Sequence, residues 1–484
     1  MTRSVHLVGI CGTGMGSLAG LFKASGWEVS GSDTGIYPPM SEQLARLGVP
    51  ILEGFEAGHL ESGPDLVVVG NIARADNPEA VEARRRAIPV TSMAEATARH
   101  FLEGRHAVVV AGTHGKTTTA SLLAWTLTAT GHEPSFLIGG VMANLGVTFR
   151  LGSGPTFVIE GDEYENAFFD RNPKFLHYQP RTAILTSIEW DHIEVFPDLE
   201  AVKTAFRRFL GCLPADGHLV ACADDREIDA VVGACRAPVT RYSMETEAAT
   251  RARLLEAGSM GSAFEVVRNG RLFGRFRSPL AGHHNLLNLT ATVETLAQLG
   301  LGPEAIAKGL ASFSGVHRRQ ELCGEVGEVA IIDDFAHHPT AVRETLRSLR
   351  TRFPGRRLVA VFEPRTNSSR RAVFQADYQR ALAEADRVIV ARVHRPELIP
   401  PGQRFDPHAL VTSLRRAGTP ADYLPQVDQI VADLSSASCA GDVIAVMSNG
   451  SFGGLPRRLL HALPSRARPC GEVSPPSRPA SEGQ

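Results

Sequence analysis

The stretch Val108-Val109-Val110-Ala111-Gly112-Thr113-His114-Gly115-Lys116-Thr117-Thr118-Thr119 constrains this chain more than any other. An apolar run of strand character enters a loop with two glycines. The helix-like Ala120-Ser121-Leu122-Leu123-Ala124-Trp125 leaves it. Glycines let a backbone approach phosphate oxygens, and N–H groups at a helix start point at an anion. Lys116 can reach β- and γ-phosphates, and Thr117 can ligate Mg²⁺. The common spacing has a glycine five residues before the Gly-Lys pair. Here that position is Val110, so the loop is the variant Gly-Thr-His-Gly-Lys-Thr. Strand, loop and helix in this order predict an α/β domain that binds a nucleoside triphosphate.

At 484 residues the chain exceeds what one core can hold. Its net charge of −2 offers no basic surface for nucleic acid, and no apolar run is long enough for a bilayer. Strand-like residues begin at once after Met1-Thr2-Arg3-Ser4, so no cleavable leader is expected. The seven cysteines are scattered without a Cys-x-x-Cys pair. That fits a reduced, cytoplasmic protein better than a disulfide framework or a zinc site.

Three blocks and a tail are predicted. Residues 1–104 hold a strand at Val5-His6-Leu7-Val8-Gly9 and the glycine turn Ile10-Cys11-Gly12-Thr13-Gly14-Met15-Gly16. A helix from Ser17 and a second strand ending at Ser32-Asp33 follow, a Rossmann-like order. Ser17 stands where a third fingerprint glycine belongs, which weakens a dinucleotide reading but not a phosphate one. Asp65-Leu66-Val67-Val68-Val69-Gly70-Asn71 is a later strand of the same block. Residues 105–315 hold the phosphate loop and strands at Thr156–Ile159 and Ala183–Thr186, each followed by polar residues: Glu160-Gly161-Asp162-Glu163-Tyr164 and Ser187-Ile188-Glu189-Trp190-Asp191-His192. Chemistry in a parallel sheet collects beyond the C-terminal ends of strands, so Lys116, Thr117, Glu160 and His192 should share a crevice. Lys116 is expected to be exposed there. Residues 316–464 repeat a doubly wound pattern, with strands near Val329–Ile332, Leu358–Phe362, Val388–Val390 and Val443–Val446. The Pro-, Ser- and Arg-rich residues 465–484 should form a disordered tail.

The surroundings narrow the phosphate loop. No Asn is followed by Lys, so the guanine-reading Asn-Lys-x-Asp is missing. Glu160 and His192 suit Mg²⁺ beside phosphate oxygens. Downstream come Gly282-His283-His284-Asn285-Leu286-Leu287-Asn288, then Val316-His317-Arg318-Arg319-Gln320-Glu321, then Asp333-Asp334-Phe335-Ala336-His337-His338-Pro339-Thr340. With Gly112-Thr113-His114-Gly115-Lys116-Thr117, this order resembles the Mur ligases, ATP-dependent amide-forming enzymes of bacterial cell-wall synthesis. The resemblance runs from Val5 to about Leu463. Tyr37-Pro38-Pro39-Met40, Glu163-Tyr164-Glu165-Asn166-Ala167-Phe168-Phe169-Asp170, Glu363-Pro364-Arg365-Thr366-Asn367 and Met447-Ser448-Asn449-Gly450-Ser451-Phe452-Gly453-Gly454 resemble the family's wall-recycling branch.

What the resemblance implies is a three-domain α/β protein: a Rossmann-like N-terminal domain, a central P-loop ATPase domain and a Rossmann-like C-terminal domain. It implies ligation of UDP-N-acetylmuramate to L-alanyl-γ-D-glutamyl-meso-diaminopimelate through an acyl phosphate in peptidoglycan recycling, with ATP as co-substrate and Mg²⁺ as cofactor. Catalysis falls to Lys116, Glu160 and His192, and the metal to Thr117, Glu160 and His192. Gly112, Thr113, His114, Gly115, Lys116, Thr117 and Thr118 would hold the ATP phosphates. His284, Asn285 and Asn288 would lie around the adenine, with Arg319 and Asp334 added from the third domain. Arg319 is preferred to Arg318 because the family's arginine is the second of the pair. Gly12, Thr13, Gly14 and Met15 would cradle the diphosphate of the UDP-sugar, with Ser32, Asp33 and Asn71 nearby. Arg365 and Asn367 are the candidates for the acceptor peptide.

The chain departs from several Mur ligases at Phe206 and Arg207, where a carbamylated lysine would stand; Lys203 is one turn early, so no carbamate is expected. Gly161 stands where the recycling branch has alanine. The nearest alternative is L-alanine addition to the same UDP-sugar. A non-catalytic nucleotide sensor would be expected to lose Lys116, Glu160 or His192. A folate polyglutamylating ligase would lack the first block.

Overall fold

The apolar run before the phosphate loop forms the strand His106–Ala111 inside a ten-stranded sheet. It is buried from Ala107 onward, as a strand covered on both faces must be. It pairs in parallel with Thr156–Gly161 on one side and Thr182–Leu185 on the other. The register sets Val110 beside Glu160 and Ala111 beside Leu185. The three strands therefore end level, and the phosphate loop, Glu160 and the segment after Leu185 leave the sheet together. The helix Lys116–Ala129 packs on His283–Gln298 and Pro303–Ala311.

This computed structural model describes residues 2–36 and 40–464. The tail expected at 465–484, with Cys470, and the residues Tyr37, Pro38 and Pro39 of one recycling-branch segment lie outside the described residues. The chain divides into two compact units, the second beginning at Arg318.

The first unit also contains a separate sheet of five parallel strands, in the order Ile51–Glu53, Glu28–Asp33, Ser4–Val8, Leu66–Val69, Val90–Ser92. The direction of winding reverses beside Ser4–Val8, the place where a ligand crevice opens in such sheets. The helix following that strand starts at Thr13, earlier than the sequence suggested, and ends at Ala24. It packs against the strands Ser135–Met142 and Val147–Arg150 of the larger sheet. Ser17 Oγ lies 2.6 Å from Thr148 Oγ1 across this seam, and one buried apolar cluster extends from Val5 to Val316.

The larger sheet continues past Val239–Ser243 into three strands that the sequence reading did not place, Thr250–Gly258, Gly261–Arg268 and Arg271–Ser278. In the outer two of these strands the alternation of Arg251-Ala252-Arg253 and Arg275-Phe276-Arg277 is short, interrupted by Leu254-Leu255 and by Leu272-Phe273-Gly274.

The second unit is a six-stranded sheet, in the order Glu321–Val326, Val329–Asp334, Val443–Met447, Leu358–Phe362, Arg387–Val390, Ala421–Tyr423. Its first pair is antiparallel and the others parallel. Among the described residues no helix is long and apolar enough to cross a membrane, and the six described cysteines are free thiols.

Candidate active site

Two glycine-led helix starts lie at the C-terminal ends of parallel strands. The helices from Pro78, Leu199 and Arg226 have first-turn N–H groups taken by Asn77, Asp198 and Asp225. The helices from Thr13 and Lys116 follow Gly12 and Gly115, with no side-chain cap. Their first N–H groups keep the bonding capacity and positive potential that anions use.

At the second of these, Gly115 has φ +82° and a Cβ there would lie 2.4 Å from Asn288 Oδ1. Gly112 has φ +134°, and its Cβ would lie 2.1 Å from Thr186 Oγ1. Glycine is required at both by conformation and by space. The loop is tied to the segment after Leu185. Thr113 N donates to Ser187 O (2.9 Å), His114 N to Ser187 Oγ (3.0 Å) and Glu189 N to Thr113 Oγ1 (2.9 Å). Thr118 sits half-buried in the first helical turn.

Lys116 is not the exposed side chain that was expected. Its side chain is 12% exposed, and Nζ donates to Gly112 O (2.6 Å) and Glu163 Oε2 (2.9 Å). A loop folded over a helix start brings the long side chain back onto its own carbonyls. Burial opposes the charge, yet the carboxylates of Glu163, Asp162 and Glu160 hold the ammonium pKa above the usual lysine value. Thr117 Oγ1 donates to Glu160 Oε2 (3.0 Å), while Glu160 Oε1 accepts from Gly139 N (2.5 Å). These are hard oxygen donors, side by side at a strand end. His192 has φ +50° and stacks on Tyr164 with ring centroids 4.8 Å apart. Its Nε2 is 3.7 Å from Glu163 Oε1 and its Nδ1 3.8 Å from Glu194 Oε1. Burial lowers the His192 pKa, but Glu194, Glu163 and Asp191 outweigh that and push it up to about 9. The structure thus gathers Lys116, Thr117, Glu160 and His192, with Glu163 as a member that the sequence reading did not assign. The signal available was three carboxylates within Glu160-Gly161-Asp162-Glu163.

Asn285 and Asn288 are buried one turn apart. Asn285 Nδ2 donates to Ala281 O (2.8 Å), and Asn288 reaches the loop at Gly115. His284 is half-buried in the first turn of the same helix. Phe206, where a carbamylated lysine was not expected, is fully buried, its ring 5.5 Å from that of Phe175. Lys203 pairs with Glu227 instead.

At the first helix start, Asp33 Oδ2 accepts from Cys11 N (2.9 Å) and Oδ1 from Gly35 N (2.9 Å), which fixes the glycine turn. Gly12, Thr13 and Gly14 begin the helix and Met15 is buried behind them. Ser32 is buried and donates to Glu79 Oε2 (2.6 Å), whereas Asn71 is exposed at its strand end.

In the second unit, Asp334 is buried and accepts from Gln320 N (2.7 Å) and Ala336 N (2.7 Å). Arg318 is committed to Ser448 O and Gly450 O, both at 2.6 Å, and Arg319 lies over the Phe335 ring at 5.0 Å. Arg365 is 31% exposed, 3.6 Å from Glu363 Oε1, and Asn367 Oδ1 accepts from Arg370.

Models of three domains match the chain: Mur ligase family, catalytic domain, at residues 4–105; Mur ligase middle domain at 110–296; and Mur ligase, glutamate ligase domain, at 318–450. The chain is 37% identical over 464 residues to the UDP-N-acetylmuramate–L-alanyl-γ-D-glutamyl-meso-2,6-diaminoheptandioate ligase of Escherichia coli K12, covering 96% of this chain and 99% of that one. It is 36% identical to the UDP-N-acetylmuramate–L-alanine ligase of Halorhodospira halophila, covering 94% and 93%. Among solved structures it is similar to a murein peptide ligase from Psychrobacter arcticus, with TM-score 0.71, 34% identity and coverage of 95% and 98%.

Proposed function

Because this chain belongs to the Mur ligase family, we propose that it is the ligase that joins UDP-N-acetylmuramate to L-alanyl-γ-D-glutamyl-meso-diaminopimelate, converting ATP to ADP and phosphate. The observation that carries the chemistry is the cluster at the level strand ends: Lys116 folded into the loop, with Thr117 and Glu160 in contact beside it. The agreement with the tripeptide ligases over nearly the whole of both chains supports the choice of acceptor.

A free carboxylate resists amines because its leaving group is poor. The muramate carboxylate attacks the γ-phosphorus of ATP and expels ADP. The peptide amine then adds to the acyl phosphate, and the tetrahedral intermediate expels phosphate. The protein must neutralise charge and hold the reactants in line. In this reading Gly112, Thr113, His114, Gly115 and Thr118 hold phosphate oxygens by loop and helix-start N–H groups. Lys116 neutralises the β/γ-phosphates. Thr117 and Glu160 fit Mg²⁺ as adjacent oxygen donors, with His192 as a further ligand; the ion supplies charge neutralisation on the phosphates. His284, Asn285, Asn288, Arg319 and Asp334 serve the nucleotide. The helix start at Gly12–Met15, with Ser32, Asp33 and Asn71, serves the UDP end, and Arg365 and Asn367 serve the peptide. We assign residues 1–104 to the UDP-sugar, 105–315 to ATP and 316–464 to the acceptor peptide and to closure on ATP.

The test is a reaction of purified protein with ATP, UDP-N-acetylmuramate and tripeptide, read by mass spectrometry. One UDP-muramoyl-tripeptide should form per ADP. ADP release without ligated product would defeat the proposal. L-Alanine as acceptor is the second reading, favoured by the 36% identity to an alanine-adding relative over a similar span.

A further inference from the structure

Glu163 takes no part in the steps above, yet it sits among the residues that carry them. Its side chain is 2% exposed. Among the described residues its ion pairs are with Lys116, at 2.9 Å through Oε2, and with His192, at 3.7 Å through Oε1. One carboxylate oxygen therefore addresses the ammonium that the nucleotide reading assigns to phosphate, and the other faces the imidazole that it assigns to the metal. A carboxylate occupies the place where an anion is due.

The flanking residues explain how it is held there. Asp162 accepts from Lys174 Nζ (3.1 Å) and from Tyr164 OH (2.9 Å), and Lys174 Nζ lies 4.3 Å from the centre of the Tyr164 ring. Two residues further on, Asn166 Oδ1 accepts from Ala94 N (3.2 Å) and Asn166 Nδ2 donates to Asp170 Oδ2 (2.8 Å). The segment around Glu163 is thus tied to Lys174, to the helix residue Ala94 and to Asp170, which leaves the side-chain torsions of Glu163 as the readiest way to move its carboxylate.

A buried ammonium without a counter-charge is costly, and so is a buried carboxylate. Lys116 has three N–H donors, of which Gly112 O and Glu163 Oε2 take two. An incoming polyphosphate brings more negative charge to the same ammonium, and two anions on one cation repel each other. We propose that Glu163 is the resident counter-anion of the phosphate site: a positioning residue that holds Lys116 between turnovers, yields it to the γ-phosphate when ATP binds, and takes it back as products leave. The proposal rests on the reading that Lys116 binds nucleotide phosphate.

It gives an unusual sign. Removing a merely structural carboxylate from a nucleotide site weakens nucleotide binding. Removing a competitor strengthens it. Glu163→Gln keeps a hydrogen-bond acceptor for Lys116 but loses the charge. The non-hydrolysable analogue adenylyl imidodiphosphate, titrated calorimetrically into the full chain with Mg²⁺, should bind about tenfold more tightly to this variant. In turnover, the KM for ATP and kcat should fall together, because ADP release is slowed. Glu163→Asp, whose carboxylate is drawn back by one methylene, should fall between wild type and Glu163→Gln; it decides the same comparison alone if Glu163→Gln does not fold. Analogue affinity equal to or weaker than wild type in these variants overturns the counter-anion role. Lys116→Ala provides the separate check. If it binds the analogue as well as wild type does, the phosphate reading of Lys116 is itself overturned, whatever Glu163→Gln shows.

Discussion

Gly115→Ala and Gly112→Ala should fail in different ways, and the difference can be worked from the loop geometry. Gly115 has φ +82°. An L-residue held in that left-handed region costs about 1–2 kcal/mol. Its new Cβ would also stand 2.4 Å from Asn288 Oδ1, the end of a buried side chain. Pushing that side chain aside adds about 1–3 kcal/mol. Asn288→Ala removes the obstacle but not the backbone strain. In a double-mutant cycle the pair should therefore couple by about 1–3 kcal/mol, with the alanine at 115 costing only its backbone share once Asn288 is gone. Gly112 differs. Its Cβ would lie 2.1 Å from Thr186 Oγ1, but also 2.9 Å from Ser187 N and 3.0 Å from Ser187 O. The latter two are backbone, so Thr186→Ala should rescue little. The assay is chemical unfolding followed by tryptophan fluorescence. All three tryptophans, Trp27, Trp125 and Trp190, lie in the first unit, so the signal reports that unit alone. No coupling between Gly115→Ala and Asn288→Ala, or full rescue of Gly112→Ala by Thr186→Ala, would refute the reasoning.

Lys116→Ala should abolish ligation and, since the side chain is buried where exposure was expected, also lower the stability of the first unit by about 2–4 kcal/mol, because it leaves buried Glu163 with only the longer contact to His192; an unchanged unfolding midpoint would contradict this. Glu160→Ala and His192→Ala should each raise the Mg²⁺ concentration for half-maximal activity by about tenfold or more, and unchanged Mg²⁺ curves in both would remove them from the metal. Arg365→Ala should raise the KM for tripeptide while leaving that for ATP nearly constant; a shift in the KM for ATP instead would reassign it. Asp333 supplies a pH effect. Burial raises its pKa to about 6, with Asp334 and Glu321 adding to the shift and Arg318 opposing it. The folded state thus holds this proton more tightly than the unfolded state, so stability is lost as pH rises through the folded pKa. Relative to Asp333→Asn, wild type should lose about 1 kcal/mol between pH 5 and pH 7, and parallel pH profiles for the two would count against the shift.

The phosphate loop was legible because its chemistry is local: Gly112, Gly115, Lys116 and Thr117 lie within six residues. Glu160 and His192 could be placed because strand ends in a parallel sheet share an edge, and the register of Val110 with Glu160 realises that. Glu163 lies in the segment Glu160–Tyr164 beside the assigned Glu160, yet nothing in sequence tells which of three neighbouring carboxylates turns towards a lysine 47 positions away. The exposure of Lys116 was misjudged for the same reason. The strands between Thr250 and Ser278 were missed because their alternation is short and broken by the exposed Leu254, Leu255 and Leu272. The block boundary at residue 104 separates two sheets, while the pairing of Ser17 with Thr148 and the continuous buried cluster, which no local pattern announces, pack those sheets into one compact unit. Such contacts depend on side chains far apart in the chain, where periodicity carries no information.

The most direct measurement is a competition in one vessel: purified protein, ATP, Mg²⁺, UDP-N-acetylmuramate, and equal concentrations of tripeptide and L-alanine, with the products resolved by mass spectrometry at low conversion. The account predicts that the UDP-muramoyl-tripeptide dominates and that its formation matches ADP produced. A product mixture dominated by UDP-N-acetylmuramoyl-L-alanine would contradict it.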